Sequence, residues 1–369
     1  MNYSYWEYKE WFAHNDFVIV GSGIVGLNCA LQLKTRFPKS GVLILEKGLL
    51  PQGASTKNAG FACFGSVSEL LSDLKTHSEE EVFHLVKKRW AGLQLLRRTL
   101  GDSNINYQHY YGYELFQQEA SFEQCTSQIP NINQLLRPLF NEDVFRTVPN
   151  TFSFQKIIPR YIVNQFEGQI HTGKMMAALL RKAQGLGIKI LNSVEVTSYS
   201  EQQSGVVIQT SQGVLKANYV LFATNGFSRQ LFQENVQPAR AQVLITKPLK
   251  KLHIKGTFHL DEGYYYFRNI DHRILLGGGR NLDFKTEETS VFGQTILVQE
   301  KLEQLLKEII LPNIHFKIDH RWSGIMGVGS QKKAIVKPLS NHAFCGIRLG
   351  GMGVAIGAAI GKELADLIN

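Results

Sequence analysis

Cysteine is scarce in this sequence, and the four cysteines that it has lie far apart. Cys29, Cys63, Cys125 and Cys345 form no CxxC pair and no compact cluster with histidine. Structural zinc sites and disulfide frameworks need closely spaced or paired cysteines, so we expect no metal site and no disulfide framework. The scarcity favours a reducing compartment, and we predict a cytoplasmic protein.

Long apolar runs are also missing. The least polar stretch, residues 349–360, is too short and too rich in glycine to cross a bilayer as a helix. Residues 1–16 are aromatic and polar and lack the apolar core of a secretory signal. The sequence therefore predicts no membrane span.

Charge and glycine are the two excesses in the composition. The chain has 369 residues, and its 40 Lys and Arg against 31 Asp and Glu give a net charge of +9, which raises nucleic acid or an anionic ligand as a partner. The basic residues are spread out; those of residues 87–98 could form a stripe on a helix, but a solvated helix face is the simpler interpretation. We predict that nucleic acid is not a partner. The 33 glycines, against about 26 expected at an average of roughly 7%, are more informative.

Apolar runs and glycine turns predict α/β segments at both ends and in the middle of the chain. Residues 16–20 and 41–45 are short buried strands that a helix over residues 23–37 connects. The later segments of this kind are a helix over 171–187, strands at 188–191, 219–223 and 344–349, and a helix over 354–368.

Strands without intervening helices dominate the rest. Residues 239–279 contain four apolar runs in succession, which indicates an antiparallel sheet. We also predict a hairpin from residues 205–210 and 213–217, one or two amphipathic helices over 69–100, and one helix over 287–310.

The fold class that follows is α/β plus α+β. We predict a Rossmann-like dinucleotide-binding domain that is discontinuous in sequence, with an inserted substrate domain built on a largely antiparallel sheet. The dinucleotide domain takes residues 1–75, 150–225 and 322–369, and the substrate domain takes residues 76–149 and 226–321. The oligomeric state stays open.

A GxGxxG motif, Gly21-Ser22-Gly23-Ile24-Val25-Gly26, directly follows the first strand and opens the first helix. In that context the glycines allow a tight turn, close approach of a pyrophosphate and close packing of helix on strand. Glu46 ends the second strand, at the spacing of an acid that hydrogen-bonds ribose hydroxyls and disfavours NADP. The motif predicts a dinucleotide site and leaves FAD and NAD as alternatives.

The next segment, Gly53–Phe61 (GASTKNAGF), resembles the GAS-x-x-N-A-G segment of the D-amino-acid oxidase/glycine oxidase superfamily of FAD-dependent oxidoreductases. The resemblance covers most of the chain and includes YVLFATNG at 219–226 and LGGMGVAIGAAIG at 349–361. It implies FAD as the cofactor and a small-molecule amine or amino acid as the substrate.

The resemblance and the glycine motif together imply a set of cofactor-binding residues. They are Gly21, Gly23, Ile24, Val25, Gly26, Glu46, Lys47, Ser55, Thr56, Asn58, Ala59, Gly60, Val196, Ala223, Thr224, Gly350, Gly351, Met352, Gly353 and Val354. By the resemblance, Val196 would present its backbone to adenine and the turn at 350–353 would face the flavin. Lys57 and Ser323 or Gly324 stand where members with covalent flavin carry Cys or His, so we expect non-covalent FAD.

The substrate side departs from the resemblance. The family's amino-acid oxidases carry an arginine after a W-x-G-like segment to clamp the substrate carboxylate, and this chain has Met326 there. A lysine that some sarcosine oxidases use after the C-terminal glycine turn corresponds to Ala355. Arg348 and Arg268 are our candidates to replace these cations.

The strand that precedes Arg268 supplies aromatic candidates for the substrate pocket. Strand alternation places Tyr264 and Tyr266 on one face and Tyr265 on the other, so at most one set faces the flavin; we name Tyr265 as a substrate-positioning candidate. The run GYYYFRNIDHRILLGGGR is similar to the γ-glutamylputrescine-oxidase-like branch, whose substrates are amines with distal polar groups.

The resemblance implies a reaction in which a hydride leaves a C–N bond for flavin N5 and gives an imine that water hydrolyses, with no obligatory protein base. The acceptor that reoxidises the flavin, O₂ or a quinone, stays open. The alternatives are a FAD-dependent enzyme acting on a modified tRNA base, a catalytically silent flavin-binding protein, and an NAD-dependent dehydrogenase.

Overall fold

A computed structural model describes residues 3–13 and 15–368 of the chain. Two large sheets, of six and eight strands, organise the molecule, and a three-stranded and a two-stranded sheet accompany them. Both the mixed α/β architecture and the antiparallel sheet that the sequence predicts are confirmed.

The six-stranded sheet is parallel except at one edge. In spatial order its strands are Ile335–Pro338, Ala343–Ile347, Tyr219–Phe222, Phe17–Val20, Val42–Leu45 and Lys189–Leu191, of which only the first pairs antiparallel. Phe17 and Ile19 pack into one apolar cluster, whereas Val18 and Val20 pack into another. Because both faces are buried, the strands read as continuous apolar runs.

Helices cover one face of this sheet, and a small antiparallel sheet covers the other. The helices are Ile24–Arg36, Glu79–Leu100, Thr172–Gly185 and Gly353–Asp366, and the small sheet has the strands Gly213–Ala217, Gly205–Thr210 and Val196–Gln202. Helices Ile24–Arg36 and Gly353–Asp366 touch so closely that a methyl group at Gly361 would lie 2.6 Å from the carbonyl oxygen of Val25. This contact fixes the C-terminal helix, and the glycine turn before it, beside the first helix.

The eight-stranded sheet is antiparallel with one exception. Its order is Ile318–Val328, Gln237–Thr246, Arg273–Gly278, Tyr265–Ile270, Thr257–Leu260, Gly112–Leu115, Arg160–Asn164 and Phe145–Pro149. The exception is the parallel pair of Thr257–Leu260 with Gly112–Leu115. On one face, Phe258 and Phe267 stack with ring centroids 4.6 Å apart in the main apolar core of this half.

The remaining elements pack around these sheets or connect them. They are the α-helices Tyr5–Glu7, Ala54–Lys57, Val67–Leu74, Asp102–Ile105, Glu119–Phe140, Phe284–Glu287 and Ile296–Leu305, the π-helices Tyr8–Phe12 and Leu306–Ile310, the 3-10 helices Asn225–Gln230 and Arg280–Leu282, and the paired strands Phe61–Ala62 and Gly168–Gln169.

The single helix predicted over residues 287–310 is wrong in its first third. A short helix ends at Glu287, and the next begins at Ile296. Gly293 has φ +147°, which no helix accommodates. The carboxylate of Glu287 is drawn to Arg240 of the eight-stranded sheet, at 2.8 Å from Nε to Oε2. Tertiary contacts therefore interrupt a pattern that reads as continuous.

Three elements show how the chain is divided between the two halves. Strand Arg160–Asn164 pairs within the eight-stranded sheet, and strand Ile318–Val328 of that sheet runs across residue 322. Helix Glu79–Leu100 packs on the C-terminal helix beside the six-stranded sheet. The exact domain boundaries stay a prediction. These three elements are the ones whose packing does not follow the predicted boundaries.

No helix among the described residues is long and apolar enough to cross a membrane. Across residues 3–13 and 15–368, no group of three or more His, Cys, Asp and Glu side chains is placed to hold a metal ion. The four cysteines are buried free thiols.

Candidate functional site

One large cavity, of about 500 Å³, lies between the two sheets, within the usual range for ligand sites. The glycine turn after strand Phe17–Val20 forms one end of it. Gly21 has φ +104°, and a methyl group at Gly26 would lie 2.0 Å from the carbonyl oxygen of Gly21. The helix can thus begin directly against the strand, with its N-terminal Gly23, Ile24 and Val25 at the cavity wall.

Glu46 and Lys47 follow the neighbouring strand at the same end. The Glu46 carboxylate accepts hydrogen bonds from the backbone N–H and Oγ of Ser22, at 3.1 and 2.7 Å, and from the Gly48 N–H at 3.0 Å. Lys47 places its Nζ 3.7 Å from the centroid of the Phe227 ring. Both residues border the cavity, as does Val196 at the start of its strand, so the predicted nucleotide-binding residues meet at one end.

The loop after Gly53 forms the next part of the wall. Ser55 Oγ accepts a hydrogen bond from the Ile24 N–H at 2.9 Å, which ties the loop to the first helix. The Asn58 side chain accepts from the Gly60 N–H at 2.8 Å, and Ala59 and Gly60 are buried beside the cavity. Thr56, which was predicted to bind the cofactor, does not border the cavity. Its hydroxyl instead donates to the carbonyl oxygen of Pro51 at 2.7 Å.

The C-terminal glycine turn leaves the opposite wall open. A methyl group added at Gly350 or Gly351 would meet no heavy atom within 4 Å, although both residues border the cavity. Met352, Gly353 and Val354 continue the wall into the last helix. The turn therefore exposes bare backbone to whatever the cavity holds.

These residues fit FAD. Thr224, next to Ala223 in the cavity wall, has a buried Oγ1 with no hydrogen-bond partner among the described residues. A polar ligand would supply that partner, since buried hydroxyls are normally hydrogen-bonded. The bare turn, the helix N-terminus and the ordered Glu46 carboxylate would serve the flavin, the pyrophosphate and the ribose of one extended dinucleotide.

Aromatic side chains form the other end of the cavity. The Phe61 ring meets the rings of His259 and Tyr266 edge to face, at centroid distances of 5.2 and 5.6 Å. Burial raises the pKa of Tyr266 to about 12, so its phenol is neutral near pH 7. Tyr264 borders the same space. These groups give a largely apolar pocket beyond the nucleotide-binding end.

Tyr265 lies on the other side of its strand, and its selection from sequence as a substrate-positioning residue needs correction. It packs in the apolar core of the eight-stranded sheet and does not border the cavity. Strand alternation predicted that only one set of tyrosines would face the site. The set that does is Tyr264 and Tyr266.

Arg268 also lies outside the cavity wall. Its Nη1 donates to the carbonyl oxygens of Gly60 and Ile170, at 2.9 and 2.6 Å, and burial lowers its pKa to about 10. Arg268 therefore positions the loop at Gly60, and a direct contact with substrate has no support in this geometry.

Arg348 does border the cavity, but its side chain is engaged elsewhere. Its Nε donates to the carbonyl oxygen of Lys333 at 2.9 Å, and its Nη1 donates to that of Asn235 at 3.1 Å. Met326 and Ala355, at the two positions where the resemblance implied a cation, are both in the wall. Neither of these two positions supplies a cation to the cavity wall.

Three residues at this site, Arg89, His259 and Glu167, were not predicted from the sequence. Arg89 and His259 border the cavity, and Glu167 lies behind them with its Oε2 3.7 Å from His259 Nε2. Burial alone lowers the pKa of His259, but the carboxylates of Glu167, Glu69 and Glu114 raise it above its ordinary value. The position of Arg89 could have been noticed in the sequence, because Arg89 falls on the apolar stripe of its helix. Nothing in the sequence marks His259 or Glu167 in this way.

Comparison with known proteins gives consistent results. A family model described as DAO, FAD dependent oxidoreductase, matches residues 16–367. A curated relative, the probable oxidoreductase OrdL of Haemophilus influenzae, is 21% identical over 96% of this chain and 83% of its own.

Solved structures share the fold. The L-proline dehydrogenase of P. horikoshii superposes with a TM-score of 0.77 at 17% identity, over 96% of this chain and 93% of the other. The glycine oxidase of Geobacillus kaustophilus gives a TM-score of 0.75 at 19% identity, over 96% and 94%.

Proposed function

The chain belongs to the DAO family of FAD-dependent oxidoreductases, and from that premise we propose that it oxidises a C–N bond of an amine or amino acid. One observation carries the proposal. A single cavity joins the dinucleotide-binding turn at Gly21–Gly23 to the apolar pocket of Phe61, Tyr264 and Tyr266. That arrangement supports a substrate pocket next to the position where the reactive end of an extended dinucleotide would lie. The NAD-dependent alternative is not supported, because the family is FAD-dependent.

The chemistry that bound FAD supplies is acceptance of a hydride from the carbon of the C–N bond. The resulting imine is hydrolysed by water to a carbonyl compound and an amine or ammonia. The protein's own task is to bind and orient the neutral amine and to exclude water from the reacting carbon. Phe61 and the neutral phenol of Tyr266 suit this task, and it requires no protein base.

The names of the structural neighbours favour C–N donors, since one acts on L-proline and another on glycine. We propose non-covalent FAD. By the resemblance, members with covalent flavin attach it through Cys or His, and this chain has Lys57 and Ser323 or Gly324 at those positions. Lys57 and Gly324 lie together in the structure, where a methyl group at Gly324 would be 2.8 Å from Lys57 Cβ. Acid precipitation should release all the flavin into the supernatant.

Anaerobic flavin reduction tests the proposed function. We expect that at least one donor among D- and L-amino acids, N-methyl amino acids, polyamines and γ-glutamyl amines bleaches the flavin of the holoenzyme and yields a carbonyl product. A 2-hydroxy acid serves as a control donor with a C–O bond, and dithionite establishes that the flavin can be reduced. Reduction by dithionite but by no C–N donor would refute the proposal. If the 2-hydroxy acid also fails to reduce the flavin, the result favours a catalytically silent flavin-binding protein. Following O₂ uptake, and then a quinone dye, identifies the acceptor.

A further inference from the structure

Arg89 occupies a position that normally holds an apolar side chain. It lies in helix Glu79–Leu100, whose buried residues are Val82, Val86, Arg89, Gly92, Leu93, Leu96 and Leu100. Arg89 is 4% exposed. A buried guanidinium is costly unless it is paired, so its partners decide what it does.

The Arg89 side chain has few partners of its own. A guanidinium carries five N–H donors, yet within the described part of the chain its one hydrogen bond runs from Nη1 to the carbonyl oxygen of Phe64, at 2.8 Å. No carboxylate among those residues lies within 4.0 Å of it, whereas the buried Arg240 forms a two-pronged pair with Glu287. Arg89 borders the cavity, and its remaining donors have no hydrogen-bond partner among the described residues.

The nearby carboxylates are already engaged. Glu167 accepts hydrogen bonds from the N–H groups of Phe64 and Gly65, at 3.0 and 3.2 Å, and lies against His259. Glu69 accepts from the Ser66 N–H at 2.9 Å and caps its own helix. The positive charge of Arg89 is thus held at the cavity wall without a counter-ion in direct contact.

Arg89 lies near the part of the cavity wall that the C-terminal glycine turn forms. One turn further along its helix, a methyl group at Gly92 would be 2.3 Å from the carbonyl oxygen of Ala355. On the other side, Cys63, which precedes the Phe64 partner of Arg89, has its Sγ 4.0 Å from Met352 Sδ. Arg89 therefore lies on a helix next to the glycine turn. It is close to Ala355, the position at which the resemblance implied a lysine.

The other arginines of the wall are less suited to bind an anion. Arg348 is held by two carbonyl oxygens. Arg280 lies over the Tyr264 and Phe284 rings, with its Cζ 5.9 and 5.0 Å from their centroids. Arg280 is not fully buried, and Arg348 has two side-chain hydrogen bonds where Arg89 has one.

We propose that Arg89 binds the carboxylate of the substrate, so that the enzyme acts on amino acids in preference to simple amines or polyamines. The inference rests on the proposed C–N oxidation and narrows its substrate class. A guanidinium that still has two adjacent donor groups matches a carboxylate geometrically as well as electrically. The apolar pocket of Phe61 and Tyr266 would receive the rest of the molecule.

Binding of carboxylates to the oxidised holoenzyme tests this role without turnover. Acetate and benzoate are titrated while the flavin absorbance spectrum is followed, with benzamide as the neutral counterpart of benzoate. We expect at least one carboxylate to perturb the wild-type spectrum saturably. Arg89→Met should weaken its binding by about 10- to 100-fold, and Arg89→Lys by less, since Lys offers charge without the planar fork. Benzamide binding should be the same in all three proteins.

Lys88→Met is the matched control, because Lys88 is the adjacent residue on the same helix and pairs with Glu363 at 2.8 Å outside the cavity wall. Its carboxylate affinity should equal that of the wild type. If Arg89→Met does not retain FAD, the comparison rests on Arg89→Lys, where unchanged affinity overturns the proposal. Failure of both carboxylates to perturb the wild-type spectrum also overturns it.

The two proposals fail in distinguishable ways. If amino acids bleach the flavin while Arg89→Met binds carboxylates like the wild type, the role of Arg89 is refuted and C–N oxidation stands. If carboxylate binding depends on Arg89 but no C–N donor bleaches the flavin, the anion site is supported and the proposed reaction is refuted. If polyamines are the best donors and Arg89→Met leaves their KM unchanged, the narrowing to amino acids is refuted.

Discussion

Gly60 lies at a point where three parts of the chain converge. Its φ is +75°, and a methyl group there would be 2.3 Å from the carbonyl oxygen of Ile170 and 2.7 Å from Nη1 of Arg268. Arg268 cannot yield easily, because the same Nη1 is hydrogen-bonded to the carbonyl oxygens of Gly60 and Ile170. An L-residue at this φ also costs about 1–2 kcal/mol by itself.

We predict that Gly60→Ala binds FAD more weakly than the wild type. The shift that the clash forces on the loop at residues 55–60 should lower FAD affinity at least about tenfold, which corresponds to about 1.4 kcal/mol. The measurement is the ratio of flavin to protein absorbance after purification, followed by titration of the apoprotein with FAD. Gly185→Ala is the matched control, because Gly185 is the last residue of helix Thr172–Gly185, lies outside the cavity wall and has no heavy atom within 4 Å of an added methyl group. Equal FAD affinity in the two variants would contradict the prediction.

At this scale, most of the residues predicted from sequence to bind the cofactor border the cavity, whereas two of the three predicted substrate residues do not. The glycines and Glu46 could be predicted because their spacing follows from the dinucleotide itself. Arg268, Tyr265 and Arg89 depend on which face of an element meets the cavity and on which polar partners surround it. Arg89 sits in the basic run Lys87-Lys88-Arg89, which suggests a solvated surface, and only the helical period separates it from its neighbours.

A buried ion pair connects three elements of the eight-stranded half. Arg240 of strand Gln237–Thr246 donates to both carboxylate oxygens of Glu287, at 2.8 and 3.1 Å. Gln242 of the same strand and Thr295, just before helix Ile296–Leu305, also donate to Glu287, at 2.8 and 3.0 Å. Burial works against ionisation, but these donors lower the pKa of Glu287 below its ordinary value.

We predict that Glu287→Ala lowers the free energy of unfolding by about 3–5 kcal/mol, because it leaves Arg240 buried without its partner. Urea denaturation monitored by tryptophan fluorescence measures the change. The double variant Arg240→Met/Glu287→Met should recover part of the loss, since it removes both charges. Glu308→Ala breaks the exposed Lys156–Glu308 pair and should cost much less, because solvent screens exposed ion pairs. Similar losses from the two single variants would count against this account.

The same pair explains why one element was mispredicted. Residues 287–310 carry helical spacing, but Glu287 and Thr295 are drawn into the network around Gln242, and Gly293 turns the chain between them. Strands were easier to predict, because a parallel strand buried on both faces has an unbroken apolar run. Their order in each sheet could not be predicted, since it depends on long-range pairing.

Across the whole molecule, much of the positive charge has a local explanation. Six cations border the cavity: Lys47, Lys57, Arg89, Arg280, Lys332 and Arg348. Lys332 pairs with Asp73, and the other five add positive charge around the space where a pyrophosphate or a substrate anion would lie. On helix Glu79–Leu100, Lys88 pairs with Glu363 and Arg97 with Asp102, at 2.8 and 2.7 Å. Together with the burial of Arg89, these pairs leave little of the basic stripe that nucleic acid would require. That nucleic acid is no partner stays a prediction.

The stability of the whole fold should depend on pH through Glu114. This residue lies in strand Gly112–Leu115, is 4% exposed, and accepts a hydrogen bond from the Ser68 N–H at 3.3 Å. Burial, with a contribution from the Glu69 carboxylate, raises the pKa of Glu114 from 4.5 to about 7. An acid whose pKa is raised in the folded state favours folding fully at pH values below its unfolded pKa. That contribution is lost as the pH rises through the folded pKa.

We therefore predict that wild type and Glu114→Gln have similar unfolding free energies at pH 4.5, where Glu114 is largely protonated in the native state. By pH 8 Glu114→Gln should be more stable by up to roughly 3 kcal/mol, because its amide does not ionise. Urea denaturation with excess FAD, repeated between pH 4.5 and 8, measures the difference. His259 also has a raised pKa, and its stabilisation is likewise lost with rising pH. The Glu114 carboxylate contributes least to that raised pKa, after Glu167 and Glu69, so most of the His259 contribution is the same in both proteins. A difference between the two proteins that does not change with pH would mean that Glu114 does not titrate in this range, and that the charge in the wall behind the cavity is fixed.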